Sequence, residues 1–264
     1  MATQSALPGL PHCPSLDFPI LSKGSLKDTQ LSPCVLYDVD FITDMLKTGN
    51  QFTTKGKFNE ALTIFREVLQ AMTLCAARDA DEESQLHEYI SMCREYVTAM
   101  RIETTRKALP DGETKRSVEL SSYMTLCKLV ASHQLLSSRV AMTIAFKAQN
   151  FVTASVHAKR LLANAKRTPE IETKAKQVLR ACEAKGTDQW KLDHFDQRLV
   201  DSFAADEGVS RLCARSFTPV DKNSCKECPY CKSSFLPEYE GTLCDNCGLC
   251  KVGANCMGIQ FQAI

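Results

Sequence analysis

Cysteines at metal-ligand spacing are the residues of this chain best placed to do chemistry. Seven of the fourteen lie in residues 225–264, and four of these form two Cys-x-x-Cys pairs, Cys228 with Cys231 and Cys244 with Cys247, with twelve residues between the pairs. Two residues between ligands allow a tight turn to aim both sulfurs at one ion, and Gly248 supplies the backbone freedom that such turns often need. The spacing therefore predicts that these four cysteines bind one Zn²⁺ ion.

The predicted zinc site is structural and not catalytic. Four thiolates fill a tetrahedron and leave no position for water or substrate, while the binding energy, on the order of 10 kcal/mol, can fold a segment with little core. Cys225 and Cys250 also lie at ligand spacing from Cys228 and Cys247, so either could replace an inner ligand. The turn-forming Pro229 inside the first pair favours the inner set.

Composition and charge narrow the class of protein around this site. Lys and Arg number 32 against 31 Asp and Glu, a formal charge of +1, which argues against a dedicated nucleic-acid binder. Four prolines interrupt the first nineteen residues, which lack a basic lead and an apolar run, so no signal peptide is expected. Cysteines of a chain that is not secreted are mostly reduced thiols or metal ligands, and we expect a cytosolic or nuclear protein.

Three zones are expected along the chain. Residues 1–40 hold five of the ten prolines and predict an extended Pro-rich arm, with one short hairpin around residues 22–38. Residues 41–224 predict a helical domain that ends in a linker, with one short helix near residues 190–196. Residues 225–264 lack helical periodicity and predict a small zinc-binding β-rich tail.

Helical periodicity is clear in the middle zone. Residues 81–109 place apolar side chains at the three-and-four spacing of one helix face, and a second helix with the same pattern is predicted over residues 120–130. A later helix has recognisable ends, because Thr168 can cap it, Pro169 suits its first position and Gly186 suits its end. These elements place the fold in the mainly α class.

One pair of helices shows the pattern of a tetratricopeptide-type hairpin. Small residues let two antiparallel helices approach closely, and aromatic residues fill the groove between them. A weaker second copy lies at residues 144–162, where Ala154 and Ala158 follow Phe151. The copies are too unequal for a regular array, so we expect an irregular stack of hairpins that offers a surface to a partner. The residues of the first copy are Gly49, Phe52, Gly56, Phe58, Ala61 and Phe65.

No motif for catalysis accompanies these elements. The chain has no phosphate-binding glycine loop, no zinc-protease helix motif and no nucleophile elbow. We therefore expect an interaction module that is not an enzyme and has no small-molecule substrate. The five histidines are dispersed without ligand spacing: His12, His87, His133, His157 and His194.

Several segments, taken in order, resemble the C-terminal domain of the alpha subunit of coatomer. The resemblance implies a place in the COPI vesicle coat, which carries proteins from the Golgi to the endoplasmic reticulum and within the Golgi. It implies docking of the coatomer epsilon subunit, a tetratricopeptide solenoid, contact with other coatomer subunits, and peripheral association with Golgi membranes and COPI vesicles through the coat. The segments are residues 51–58 with Ala61, residues 93–96, 102–110 and 151–162, and the two cysteine pairs.

An alternative function stays open on the residues alone. A nuclear zinc-ribbon protein that contacts nucleic acid or the transcription machinery would also carry two Cys-x-x-Cys pairs. Residues 225–264 hold three lysines against four acidic residues, which does not favour contact with phosphates, and we expect no nucleic-acid partner. A RING-type ubiquitin ligase is a weaker option because it needs eight ligands, and this tail has no histidine.

Overall fold

The fold is a run of helices followed by short antiparallel strand pairs. A computed structural model describes residues 3–6, 17–20, 37–75, 77–164, 167–193, 211–221 and 223–255. In these ranges the helices are α1 (Val39–Thr54), α2 (Phe58–Met72), α3 (Ala80–Lys107), α4 (Thr114–Met124), α5 (Ala131–Lys147), α6 (Phe151–Ala163) and α7 (Pro169–Lys185). The strands are β1 (Thr3–Ala6), β2 (Asp17–Ile20), β3 (Arg211–Leu212), β4 (Pro219–Val220), β5 (Lys226–Glu227) and β6 (Ser234–Phe235). The predicted class, mainly α with a small C-terminal β region, is confirmed.

The predicted first hairpin is formed by α1 and α2. Gly49 faces the ring of Phe65 so closely that a Cβ on the glycine would lie 2.9 Å from the ring's Cζ. Gly56 adopts a positive φ of 73° in the turn, where a residue with a Cβ would be strained. Phe65 also stacks on Tyr96 of α3, with ring centroids 4.5 Å apart. The glycines and aromatics of the motif therefore bring the helices together as expected.

The weaker copy forms a second hairpin from α5 and α6. Gln149 adopts a positive φ of 59° in its turn and stands where Gly56 stands in the first hairpin. Counted from the two turns, Met142 of α5 corresponds to Gly49 of α1, and Ala158 of α6 corresponds to Phe65 of α2. The sizes are therefore reversed between the two hairpins, and Met142 and Ala158 lie in one buried cluster. A large residue on one helix thus replaces the large residue on the other.

The ends of α7 follow the predicted capping rules. Thr168 caps α7 through a bond from the Ile171 N–H, Pro169 occupies the first turn, and Gly186 closes the helix with a φ of 66°. The second predicted helix was wrong at its end, because α4 stops at Met124 and Val130 instead precedes α5. Two short turn bonds, from residue 125 to 122 and from residue 126 to 123, tighten the chain there and end the α-helical pattern.

Each helix packs against the next in sequence, and α5 also contacts α7. The junction between the two hairpins holds a polar chain, in which the Tyr96 hydroxyl accepts from the Val130 N–H at 3.2 Å and lies 2.7 Å from His133 Nδ1. The other ring nitrogen of His133 is 2.8 Å from the Thr54 hydroxyl. One buried ring therefore links α1, α3 and α5.

Outside the helical stack, two elements were predicted, a short helix near residues 190–196 and a hairpin at residues 22–38. Residues 190–193 are not helical, and the rest of the predicted short helix lies outside the described residues. Asp188 instead folds back, where its Oδ1 accepts from the Val152 N–H at 2.7 Å and caps α6. The predicted hairpin at residues 22–38 falls almost wholly outside the described ranges, whereas β1 and β2 form an antiparallel pair.

Among the helices of the described ranges, none combines the length and the apolarity needed to cross a membrane.

Candidate metal centre

Four buried cysteines form a compact group of sulfur atoms in the C-terminal region. The Sγ atoms of Cys228 and Cys247 lie 3.7 Å apart, and those of Cys231 and Cys244 lie 3.6 Å apart. All four sulfurs lie within 4.8 Å of one another. A tetrahedral Zn²⁺ ion with Zn–S bonds of about 2.3 Å would separate its sulfurs by roughly 3.8 Å. The arrangement therefore fits one metal ion held by four thiolates.

The two turns that present these sulfurs have the same backbone shape. Gly248, directly after Cys247, has a φ of 68°, and Lys232, directly after Cys231, has a φ of 58°. The positive φ at Gly248 is the predicted feature, and Lys232 was missed because a lysine gives no sign of a left-handed conformation. The N–H groups of Cys228 and Gly248 are bonded to carbonyls within their own turns. Each turn is therefore closed by a hydrogen bond of its own backbone.

Mutual hydrogen bonds displace the pKa values of the four thiols in opposite directions. Hydrogen bonds from neighbouring thiols, first from Cys228, hold the pKa of Cys247 far below the usual range of a thiol. The pKa of Cys228, by contrast, is raised, first by its hydrogen bond with Cys231. Because a cysteine sulfur binds a metal as the thiolate, metal binding would release the protons that the group still holds. No coordination position is left for a reacting molecule once four sulfurs surround one ion.

The strands behind the centre include residues that precede the predicted tail. β5 pairs with β6 on either side of the first turn, while β3 pairs with β4. The Ala214 N–H donates to the Ser234 carbonyl at 2.8 Å, and the Leu236 N–H lies 3.4 Å from the Cys213 sulfur. Residues 211–221 thus pack with the strands around the four cysteines, and residues 211–221 and 223–255 together are called the metal-centre region. Sequence periodicity gave no sign of this packing. The boundary at residue 225 stays a prediction.

Other cysteines lie outside the four-sulfur group. Cys225 and Cys250 are only half-buried and do not join it, so the inner set is the one that the structure brings together. Cys93 and Cys127 are buried in the helical core, and burial raises the pKa of both thiols well above the usual value. These two thiols therefore have the character of apolar core residues and not of nucleophiles.

The histidines give no second site within the described residues. His133 and His157 are buried and hydrogen bonded inside the helical stack, and His87 lies half-buried on α3. His12 and His194 lie outside the described ranges.

The metal-centre region packs firmly against α2 and α3. The Tyr230 hydroxyl, inside the first Cys-x-x-Cys pair, donates to the Leu69 carbonyl at 2.6 Å. That carbonyl belongs to the last turn of α2, where carbonyls lack a helical partner, so Tyr230 caps the helix. Gln70 donates to the Cys247 carbonyl at 3.3 Å. Apolar residues of the helices and of the centre form one continuous core, so the region is not a separate appendage.

Comparison with known proteins identifies the family. Residues 1–264 match the family model for the C-terminus of the coatomer (COPI) alpha subunit. The chain is 34% identical over 273 residues to "Coatomer subunit alpha" of Dictyostelium discoideum, which covers 100% of this chain and 21% of that protein. It is 32% identical over 265 residues to "Coatomer subunit alpha-1" of Arabidopsis thaliana, covering 97% of this chain and 20% of the relative.

A more distant relative extends the comparison. "Coatomer subunit alpha" of Saccharomyces cerevisiae is 26% identical over 240 residues, covering 90% of this chain and 19% of that protein. The chain thus spans about a fifth of the length of the curated relatives it matches. Because the family model covers every residue and the helices and cysteine pairs behind the resemblance are present in the fold, the chain belongs to the family of C-terminal domains of the coatomer alpha subunit.

Proposed function

We propose that this chain is the part of a COPI coat subunit that docks the coatomer epsilon subunit in Golgi-to-endoplasmic-reticulum and intra-Golgi transport. The observation that carries the proposal is the family match along the whole chain. As a coat subunit domain it binds other proteins and turns over no substrate. The stacked helices support this role, since such stacks present extended surfaces to partners. Location in the cytoplasm and on Golgi membranes and COPI vesicles, through the coat, is part of the same proposal.

The metal centre is proposed to hold Zn²⁺ through Cys228, Cys231, Cys244 and Cys247. The support is the closeness of the four sulfurs and the absence of histidine or carboxylate from the group. All-thiolate tetrahedra suit zinc, which has no geometric preference of its own. Bound there, the ion would supply cross-linking between the two turns and no catalytic chemistry. The division into an arm (residues 1–40), a helical domain (41–224) and a zinc-binding tail (225–264) is proposed with it as an order of segments along the chain, since residues 211–221 pack with the tail and the tail shares the core of the helices.

Docking of the epsilon subunit is tested directly with purified proteins. The 264-residue chain is mixed with the coatomer epsilon subunit at micromolar concentration and run on size-exclusion chromatography with light scattering. A co-eluting complex with equal numbers of both chains is expected. An unrelated tetratricopeptide protein serves as the control and should elute separately. Separate elution of the epsilon subunit itself would overturn the docking proposal.

The alternative nucleic-acid function is tested by filter binding at low salt. Contact with phosphates releases counterions, so true binding weakens steeply as salt rises. We expect no retention of DNA or RNA by the chain at low salt. Tight retention that falls with salt would favour the alternative.

The metal proposal has its own measurement. Elemental analysis of the purified protein should find one zinc per chain, and Cys231→Ser should lower the content strongly. Cys182→Ser, which changes a buried cysteine of α7 far from the centre, is the matched control and should keep the zinc. Zinc-free wild-type protein that also fails to bind added zinc would refute the site.

A further inference from the structure

Three arginines from different parts of the chain converge on the second cysteine turn. Arg66 of α2 donates to the Asp245 carbonyl at 2.6 Å. Arg101 of α3 donates to the Asn246 Oδ1 at 2.9 Å and lies 3.7 Å from the Asp245 carboxylate. Arg215 pairs with the same carboxylate at 2.8 Å. The Asp245 carboxylate therefore faces two guanidinium groups, and a third, that of Arg66, bonds to the backbone of the same turn at the seam between the helices and the metal-centre region.

A loaded metal centre would balance the charges at this seam. A divalent ion with four thiolates carries two net negative charges, and Asp245 adds a third. Three arginines supply three positive charges. Arg101 is only 16% exposed, and a buried guanidinium is costly unless anions surround it.

A chain of hydrogen bonds connects the most buried of these arginines to a metal ligand. Asn246, which is fully buried, accepts from Arg101 and donates to the Ser233 hydroxyl at 2.8 Å. The Ser233 hydroxyl lies 3.1 Å from the Cys231 sulfur. The same amide donates to the Thr98 hydroxyl of α3 at 2.9 Å. Helix α3 is thus connected to the proposed ligand Cys231 through the Asn246 side chain and the Ser233 hydroxyl.

We infer that Arg101 is a positioning residue for the metal centre, and that metal binding and the docking of residues 211–255 onto α2 and α3 are one coupled event. The inference rests on the proposed metal site. Arg101 acts on the ligand Cys231 through Asn246 and Ser233, and the charge of the loaded centre in turn holds Arg101 and Arg66 at the seam. Removing a group that hydrogen bonds to a metal ligand commonly lowers the affinity for the metal by about 10- to 100-fold.

The first test measures zinc affinity by competition with a chromophoric chelator. Arg101→Met keeps the bulk of the side chain and loses its charge and bonds, so we expect its affinity for zinc to fall by about 10-fold or more. Arg101→Lys keeps the charge and should recover part of the loss. The matched control is Arg180→Ala, an exposed arginine of α7, which should bind zinc like the wild type.

The outcomes separate the inference from the metal site itself. If the wild type binds one zinc and Arg101→Met binds it as tightly as Arg180→Ala does, the coupling is refuted while the site stands. If the wild type binds no zinc, the site is refuted and the coupling falls with it.

A second measurement uses only the wild-type protein, in case Arg101→Met fails to fold. Hydrogen exchange is followed with zinc bound and after its removal by a chelator. We expect faster exchange not only in residues 211–255 but also in the last turn of α2 and the middle of α3, while α6 and α7 exchange as before. Faster exchange confined to residues 211–255 would overturn the coupling.

Discussion

The buried His157 makes the stability of the protein sensitive to acid. Its ring lies fully buried on α6, with Nε2 3.0 Å from the Ser122 hydroxyl. Burial, helped by the positive charge of Arg160, lowers the pKa of His157 from 6.5 to about 3. The unfolded chain therefore binds a proton at this ring more readily than the folded chain does. Stability is fully present above about pH 6.5 and is lost as the pH falls from there towards 3.

The size of this effect follows from the two pKa values. Between pH 6.5 and pH 5 the ring of His157 is protonated in the unfolded chain and neutral in the folded chain. This interval is about 1.5 pH units. Each unit corresponds to about 1.4 kcal/mol, so His157 should remove about 2 kcal/mol of unfolding free energy between pH 7.5 and pH 5. That is a large share of the stability of a typical domain.

Urea denaturation at pH 7.5 and pH 5, followed by circular dichroism, measures this loss in the wild type and in His157→Gln. The glutamine amide can still bond to the Ser122 hydroxyl but does not titrate. Burial also lowers the pKa of His133, but that ring is present in both proteins and its contribution cancels in the comparison. We expect the variant to lose about 2 kcal/mol less than the wild type on acidification. Equal losses in the two proteins would refute the reasoning.

Three further substitutions test the packing and capping. Gly49→Ala places a Cβ 2.9 Å from the buried Phe65 ring and should destabilise the protein by about 1–3 kcal/mol in urea denaturation; an unchanged midpoint would show that the ring moves freely. Asp188→Ala removes the carboxylate that accepts from the Val152 N–H and should lower the stability measured by thermal unfolding by about 1 kcal/mol. Asp193→Ala, at an exposed position, is its control and should leave the stability unchanged. Tyr230→Phe removes the hydroxyl that caps α2 and should cost about 1–3 kcal/mol with one zinc retained; loss of the metal would contradict a purely capping role.

Local chemistry allowed much of the fold to be predicted. The capping of α7 by Thr168, Pro169 and Gly186 depends on side chains within a few residues of each helix end, so the sequence carries it directly. The close approach at Gly49 and the inner cysteine set are also local patterns, because each is fixed by short spacing. Features of this kind need no knowledge of the rest of the molecule.

Long-range contacts could not be predicted in the same way. Arg101 meets Asn246 across 145 positions of sequence, and neither residue belongs to a motif. β3 and β4 have two residues each, too few to show an alternating pattern. The end of α4 was misjudged because Cys127 is apolar and buried, yet it belongs to the loop after the helix. Tertiary packing, and not helix periodicity, explains its burial.

The reversed sizes in the two hairpins also bear on how the chain avoids misassembly. If α1 packed against α6 in place of α2, Gly49 would face Ala158 and leave a void between the helices. If α5 packed against α2, Met142 and Phe65 would compete for the same space. Two helical pairs of similar design in one polypeptide could otherwise exchange partners while they fold. Their opposite steric pattern favours only the pairing between neighbours in sequence.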